Sequence, residues 1–355
     1  MLDADAGSAP LPGLDLPAVL AWLDGRLPGL LGRGTTAQLV AGGRSNLTYL
    51  LTDGDTRLVL RRPPLGHVLA TAHDMGREHR LISALAPTPV PVPEPVAICP
   101  DDGVTGAPFY LMSFAEGRII RDAAQASDLD AEQKAALSRA MMGVLADLHA
   151  VDPAAVGLSD LGRPEGYLAR QVKRWGIQLD NSHVRDLDGM PELRAGLAAT
   201  VPESGRSAIV HGDYRLDNLV VAGPGEPDAL AVRAVLDWEM ATLGDPLADL
   251  GLLIAYWDVL GELDNDVSRA MGARAGFPSG DTLVGWYAER GGADLSALPW
   301  YVALGLFKLA VILEGIHFRF VHGQTVGAGF DRIGELPPAL VRAGLDRLAA
   351  AGARG

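Results

Sequence analysis

Ile209-Val210-His211-Gly212-Asp213-Tyr214-Arg215-Leu216-Asp217-Asn218 and Val235-Leu236-Asp237-Trp238-Glu239 decide how this chain is read. The first segment is a β-type apolar run that gives way to a loop, with an Asp at 213 and an Asn five residues later. The second ends a strand-like run, residues 230–236, on Asp237, 24 residues after Asp213. Residues 218–221 and 230–236 can pair as a hairpin across the turn at 223–228, which predicts Asn218 and Asp237 side by side. Two oxygen donors beside one turn suit Mg²⁺, which takes few protein ligands and fills its shell with water and substrate phosphates. Asp213 is then placed to receive a hydroxyl proton, and the whole is the layout that phosphoryl transfer from a metal-bound nucleotide requires.

Working outward, the chain has 355 residues, 48% hydrophobic and 21% charged, enough for a large core and two lobes. A net charge of −14 argues against nucleic acid, whose phosphates demand a basic surface. Cys99 is the single cysteine, which excludes an intrachain disulfide and a cysteine-based zinc site. Residues 1–10 carry Asp3 and Asp5 and no basic stretch, so no secretory signal is expected. Residues 301–320 are apolar but broken by Lys308, Glu314, His317 and Arg319, which suits a buried helix better than a membrane span. The expected location is the cytoplasm. Of the 30 basic residues only Lys134, Lys173 and Lys308 are lysines, so a phosphate-binding cation in the first third must be an arginine.

Periodicity divides the chain. A short helix is expected over 16–31, interrupted near Pro28, then strands over 38–41, 47–52 and 56–61, the last two joined by the tight turn Asp53-Gly54-Asp55. A helix over 72–85 ends in a proline-dense linker, and a second hairpin spans 96–99 and 107–112. Leu137, Met141, Leu145 and Leu148 mark a long amphipathic helix. Further helices are expected over 163–180 and 191–199 and from Asp245 to about 350. The fold class is therefore α+β: a β-rich lobe with one main helix over 1–113 and a mainly helical lobe over 118–355, joined through 114–117.

On the His-Gly-Asp, Asn and Leu-Asp-Trp-Glu segments the chain resembles the aminoglycoside phosphotransferase and choline kinase-like superfamily, which shares the bilobal protein-kinase fold. The resemblance runs from about residue 38 to about 260. It implies Asp213 as catalytic base, Asn218 and Asp237 as metal ligands, and His211 as a support for the loop, with ATP and Mg²⁺ as cofactors. It also implies a phosphate loop at Gly42-Gly43-Arg44-Ser45-Asn46, in which Gly43, Ser45 and Asn46 contact the nucleotide, though the full glycine pattern is missing. Arg61 stands where kinases of this fold place a lysine, with Glu78 as its partner, and either Arg61 or Arg62 can fill that role. Phe114-Ala115-Glu116 resembles the hinge that reads adenine through backbone groups.

The acceptor is expected to be a small hydroxylated molecule. Arg170, Lys173 and Arg174 gather in one basic segment, with Arg170 and Arg174 on one helical face, which suits an anionic acceptor; Trp238 and Glu239 are expected beside it. Leu60-Arg61-Arg62-Pro63-Pro64, Ala72-His73-Asp74-Met75 and Val235-Leu236-Asp237-Trp238-Glu239 are similar to kinase-like domains joined to acyl-CoA dehydrogenases, implying a hydroxyacyl-CoA or another hydroxylated metabolite. The competing reading uses Asp258, Glu262, Asp264 and Asp266 to hold the amino groups of an aminoglycoside. A catalytically silent kinase-fold protein that binds nucleotide or acyl-CoA as a sensor or scaffold is the alternative from another class. A metal-dependent hydrolase built from His211, Asp213 and Asp237 lacks the clustered histidines of a transition-metal site. Oligomeric state is not readable.

Overall fold

Residues 11–40, 46–65, 74–182, 184–263, 271–291, 294–325 and 330–352 are described by a computed structural model of the chain. They fall into two compact units, Met1–Thr88 with Val92–Glu116, and Pro89–Pro91 with Gly117–Gly355.

In the first unit, α1 (Leu16–Asp24) starts on an Asp15 side chain that accepts from the Ala18 amide at 3.0 Å. It stops at Gly25, short of the interrupted helix expected from the pattern. Strands β1 (Thr36–Leu39), β2 (Leu47–Thr52), β3 (Arg57–Arg62), β4 (Pro95–Cys99) and β5 (Phe109–Ser113) form one antiparallel sheet in the order β1-β2-β3-β5-β4. The two expected hairpins are thus a single sheet, joined where β3 pairs with β5. Its α1-facing side buries Tyr49, Leu51, Leu60, Phe109 and Leu111 with Val19 and Leu23. Between β3 and β4 lies α2 (Met75–Leu85), capped by Asp74, whose side chain accepts from the Arg77 amide at 3.0 Å.

Helices dominate the second unit: α3 (Ala131–Ala150), α4 (Tyr167–Asn181), α5 (Met190–Ala199), α6 (Leu247–Ile254), α7 (Gly280–Gly291), α8 (Leu298–Val321) and α9 (Leu336–Gly352). A reciprocal capping box starts α3, with the Asp130 carboxylate accepting from the Gln133 amide and the Gln133 side chain from the Asp130 amide. Two short antiparallel ladders stand among the helices: β6 (Ala208–Val210) with β9 (Thr242–Gly244), and β7 (Leu219–Val221) with β8 (Val232–Val235). The second is the hairpin expected from the pattern; the first pairing was not expected, since β9 is only three residues long. By length and composition α8 could cross a membrane, but 72% of its most apolar window is buried in the protein. It packs chiefly against α9 and α6.

Candidate active site

All three residues of β6 are buried, and His211, directly after the strand, is itself fully buried. Beyond it the loop turns sharply at Gly212, with φ of +83°. A Cβ there would stand 2.9 Å from both the Cβ and the carbonyl oxygen of Met240, so only glycine fits without displacing backbone. The turn is gripped by Asp249 in the first turn of α6. One carboxylate oxygen accepts from the His211 amide at 2.6 Å and the other from the Gly212 amide at 2.8 Å. The buried His149 ring faces the same carboxylate through Nε2 at 3.3 Å and the Tyr287 hydroxyl through Nδ1 at 2.8 Å. Burial pushes the Asp249 carboxyl up, but the His149 hydrogen bond, the neighbouring imidazoles and the loop amide outweigh it and hold the group below its ordinary 3.8.

The His211 ring completes the loop's internal bracing. Its Nδ1 accepts from the Asp213 amide at 3.2 Å, so the ring proton sits on Nε2, which donates to the Leu236 carbonyl at 2.9 Å. One imidazole thus ties the loop after β6 to the end of β8. Asn218 makes the second tie. Its Nδ2 donates to the Asp213 carbonyl at 2.9 Å and to the Asp213 carboxylate at 3.2 Å, while its backbone carbonyl accepts from the Leu236 amide at 2.8 Å. That last bond extends the ladder in which Leu219 faces Val235, and sets Asp237 one residue beyond it. Asp237 is left-handed, φ 65° and ψ 61°, a conformation that Asp tolerates better than most residues and that ends the strand abruptly. The three residues picked out from the sequence therefore meet around one loop.

The Asp213 side chain keeps 29% of its surface exposed. Arg215 lies beside it, its Nε 3.7 Å from the Asp213 carboxylate and its guanidinium paired with Asp217. The same guanidinium stacks 4.8 Å above the Tyr256 ring. The Tyr256 hydroxyl hydrogen-bonds Asp213, and burial together with the Asp213 charge pushes its ionisation up, so the phenol stays a donor. Tyr256 comes from a wide π-helical turn at Ala255–Val259, directly after α6. From α8, the Lys308 ammonium donates to the Gly212 carbonyl at 2.8 Å.

In the first unit Arg61 and Arg62 point to opposite faces of the sheet, as strand alternation requires. Arg61 forms an ion pair with Glu78 of α2 at 3.4 Å. Arg62 donates to the carbonyls of Gly13 and of Thr105, the latter at 2.7 Å, so it serves the opposite face. Glu78 is 3% exposed and also accepts from Asn46 at 3.3 Å and from the Tyr110 hydroxyl at 3.0 Å. Glu78→Gln should cost about 2–4 kcal/mol, because a buried charge-assisted network loses its acceptor, and a urea titration of the variant measures it.

Some expected site residues are placed otherwise. Asn46, expected on the phosphate loop, is buried and turned to Glu78; Gly43 and Ser45 lie outside the described residues. Trp238, expected at the acceptor, is 4% exposed, packs 4.7 Å from the His211 ring and donates from its indole to the Val235 carbonyl at 2.9 Å. It is part of the loop's support, and Glu239 beside it is half-buried. Arg170 is spent on the carbonyls of Arg163 and Glu165 ahead of α4, while Lys173 and Arg174 are exposed. At the end of the first unit Glu116 pairs with Arg57, whose guanidinium covers the Phe114 ring at 4.6 Å. Asp258 accepts from the Gly280 amide at the start of α7 at 2.9 Å and lies 3.8 Å from the Arg347 guanidinium, and Glu262 accepts from the Arg274 amide at 2.8 Å; Asp264 and Asp266 lie outside the described residues.

Residues 36–283 match the model of the phosphotransferase enzyme family. The chain belongs to that family. Among curated members of known proteins, this phosphotransferase-family chain is 34% identical over 336 residues to mouse acyl-CoA dehydrogenase family member 10, a match covering 91% of the chain and 30% of that protein. It spans about a third of the length of the curated relatives it matches, 30% and 40% for two of them. A solved structure from Ralstonia eutropha, provisionally named an aminoglycoside phosphotransferase, superposes with a TM-score of 0.81 at 31% identity, covering 95% of this chain and 98% of that one. An ADP-bound aminoglycoside phosphotransferase shares the fold alone, with a TM-score of 0.55 at 15% identity and coverage of 93% and 99%. The family's phosphotransferase fold accounts for both the five-stranded sheet with α2 and the helical second unit. Asp249, Tyr256 and Lys308 escaped the sequence reading. Asp249 and Lys308 had a signal, a lone charge in an otherwise apolar helical stretch; Tyr256 had none.

Proposed function

We propose that this family member transfers the γ-phosphoryl group of ATP to a hydroxyl of a small molecule, with Asp213 as base. The carrying observation is the Asn218 side chain fixed on Asp213 while its backbone is paired next to Asp237. Because Nδ2 of Asn218 is committed to Asp213, its carbonyl oxygen is the atom left for a cation. That oxygen and the Asp237 carboxylate are the donor set that Mg²⁺ accepts together with phosphates and water. Among the described residues no three His, Cys, Asp or Glu side chains group into a metal site, which disfavours the hydrolase reading. When bound, Mg²⁺ would neutralise charge on the phosphates.

Asp213 takes the hydroxyl proton as the acceptor oxygen bonds to the γ-phosphorus, and the bond from that phosphorus to the bridging oxygen breaks to release ADP. Tyr256 and Asn218 orient the carboxylate, and Arg215 stands close enough to meet charge on the transferring group. Arg61 with Glu78 serves the nucleotide as lysine does in related kinases; the retained ion pair favours a working enzyme over a silent one. ADP in one structural neighbour and GDP in others support a purine nucleotide as phosphoryl donor. The long acyl-CoA dehydrogenase relatives support a hydroxyacyl-CoA as acceptor ahead of an aminoglycoside. Radiolabelled γ-phosphate from ATP, offered with Mg²⁺ and separate pools of hydroxyacyl-CoA thioesters and aminoglycosides, should label the thioester pool. Nucleotide binding with no labelled acceptor in either pool would transfer the case to the sensor.

A further inference from the structure

Lys308 is the only charged residue in α8 before Glu314. Its ammonium has one neutral acceptor, the Gly212 carbonyl at 2.8 Å, and lies 5.4 Å from the centre of the Trp175 ring. The Arg174 guanidinium lies 5.6 Å from the same ring. Among the described residues neither cation forms an ion pair with a carboxylate. Burial pulls the Lys308 ammonium below its ordinary value; the Asp213 and Asp249 carboxylates oppose this, and Arg174 and Arg215 reinforce it. A buried ammonium whose one hydrogen-bond acceptor is a neutral carbonyl is costly to fold unless it is used. A peptide carbonyl and an aromatic face satisfy only part of an ammonium that carries three donors. Lysine, rare here beside arginine, is the cation whose compact charge can touch a carbonyl and still offer donors to a second oxygen.

We propose that Lys308, with Arg174 at the same indole ring, holds an anionic group of the acceptor next to Asp213, so that the site selects hydroxylated anions over neutral or cationic alcohols. The assignment rests on the phosphotransferase reading above. The anion is a carboxylate or a phosphate oxygen within a few bonds' reach of the loop carrying Asp213.

The test is calorimetric binding to the full chain with ADP and Mg²⁺ present, using 3-hydroxyhexanoate, its CoA thioester, 1,3-hexanediol and kanamycin. At least one anion should bind about tenfold or more tighter than the diol, and Lys308→Met should remove that preference, with partial return in Lys308→Arg. Preference for the free acid identifies a carboxylate; preference for the thioester alone identifies the carrier phosphates. Equal binding of the diol and both anions, tighter binding of kanamycin, no binding of any probe, or an undiminished preference in folded Lys308→Met overturns the proposal. Should Lys308→Met fail to fold, Arg174→Gln decides in its place: a loss of threefold or more in the preference, about the size of a partly exposed charge contact, supports the proposal and anything smaller overturns it. Transfer that persists without an anion preference sinks this inference alone, whereas an anion preference without any transfer sinks only the phosphotransferase reading.

Discussion

Asp213→Asn should lower phosphoryl transfer by about 10² to 10⁴, the range for losing a positioned base, while nucleotide affinity changes little. The substitution keeps the shape of the side chain and removes its charge and one acceptor. In the native loop the Asp213 carboxylate receives Asn218 Nδ2 at 3.2 Å and the Tyr256 hydroxyl, and Arg215 stands 3.7 Å away. An amide can still accept one of these donors through its oxygen, so the loop should stay folded. What it cannot do is take a proton from an attacking hydroxyl. Single-turnover transfer measured beside nucleotide binding separates the two effects: a variant with native turnover removes Asp213 from the reaction, and one that loses ATP affinity in proportion places it in binding instead.

Part of this was legible because phosphoryl transfer demands particular atoms at particular separations along the chain. Asp213, Asn218 and Asp237 lie on either side of one hairpin, and a short antiparallel ladder has little freedom in register, so their spacing carried to the observed Leu219–Val235 pairing. The choice between Arg61 and Arg62 was not legible, since both follow the same apolar run. The sheet turns alternate side chains to α2 and to the opposite face, which puts Arg61 on Glu78 and Arg62 away from it. Trp238 was misjudged for a related reason: sequence adjacency to Asp237 says nothing of direction, and the left-handed turn at Asp237 folds the indole back onto His211. The residues that grip the loop, Asp249 and Lys308, come from helices that start 35 and 86 residues beyond Gly212 and reach it only through tertiary packing, and no local pattern records which carbonyl or amide a distant charge will meet.

 Counted along the chain, Asp249 is 37 residues from Gly212 and Lys308 is 96, separations at which only the folded core brings such groups together.

The grip of Asp249 on that loop gives the second large effect. Asp249→Ala strips the acceptor from the His211 amide, the Gly212 amide and His149 Nε2, all buried. It should cost about 3–5 kcal/mol of stability, the range for breaking a buried charged network by removing one partner. Transfer should fall with it, because the Gly212 turn sets the direction of Asp213. Asp249→Asn is the sharper probe: one amide oxygen can serve one loop N–H, but its NH₂ then faces the other, donor against donor. The native carboxyl is held below 3.8, so its stabilising contribution is complete above that unfolded value and is lost as pH falls through the lower folded one. Urea titrations should therefore show a constant gap between native protein and Asp249→Ala from neutral pH down to about 5, closing only in the acid range below the ordinary carboxylate value. A gap that closes already between pH 7 and 6 would mean that a group other than Asp249 controls the loop.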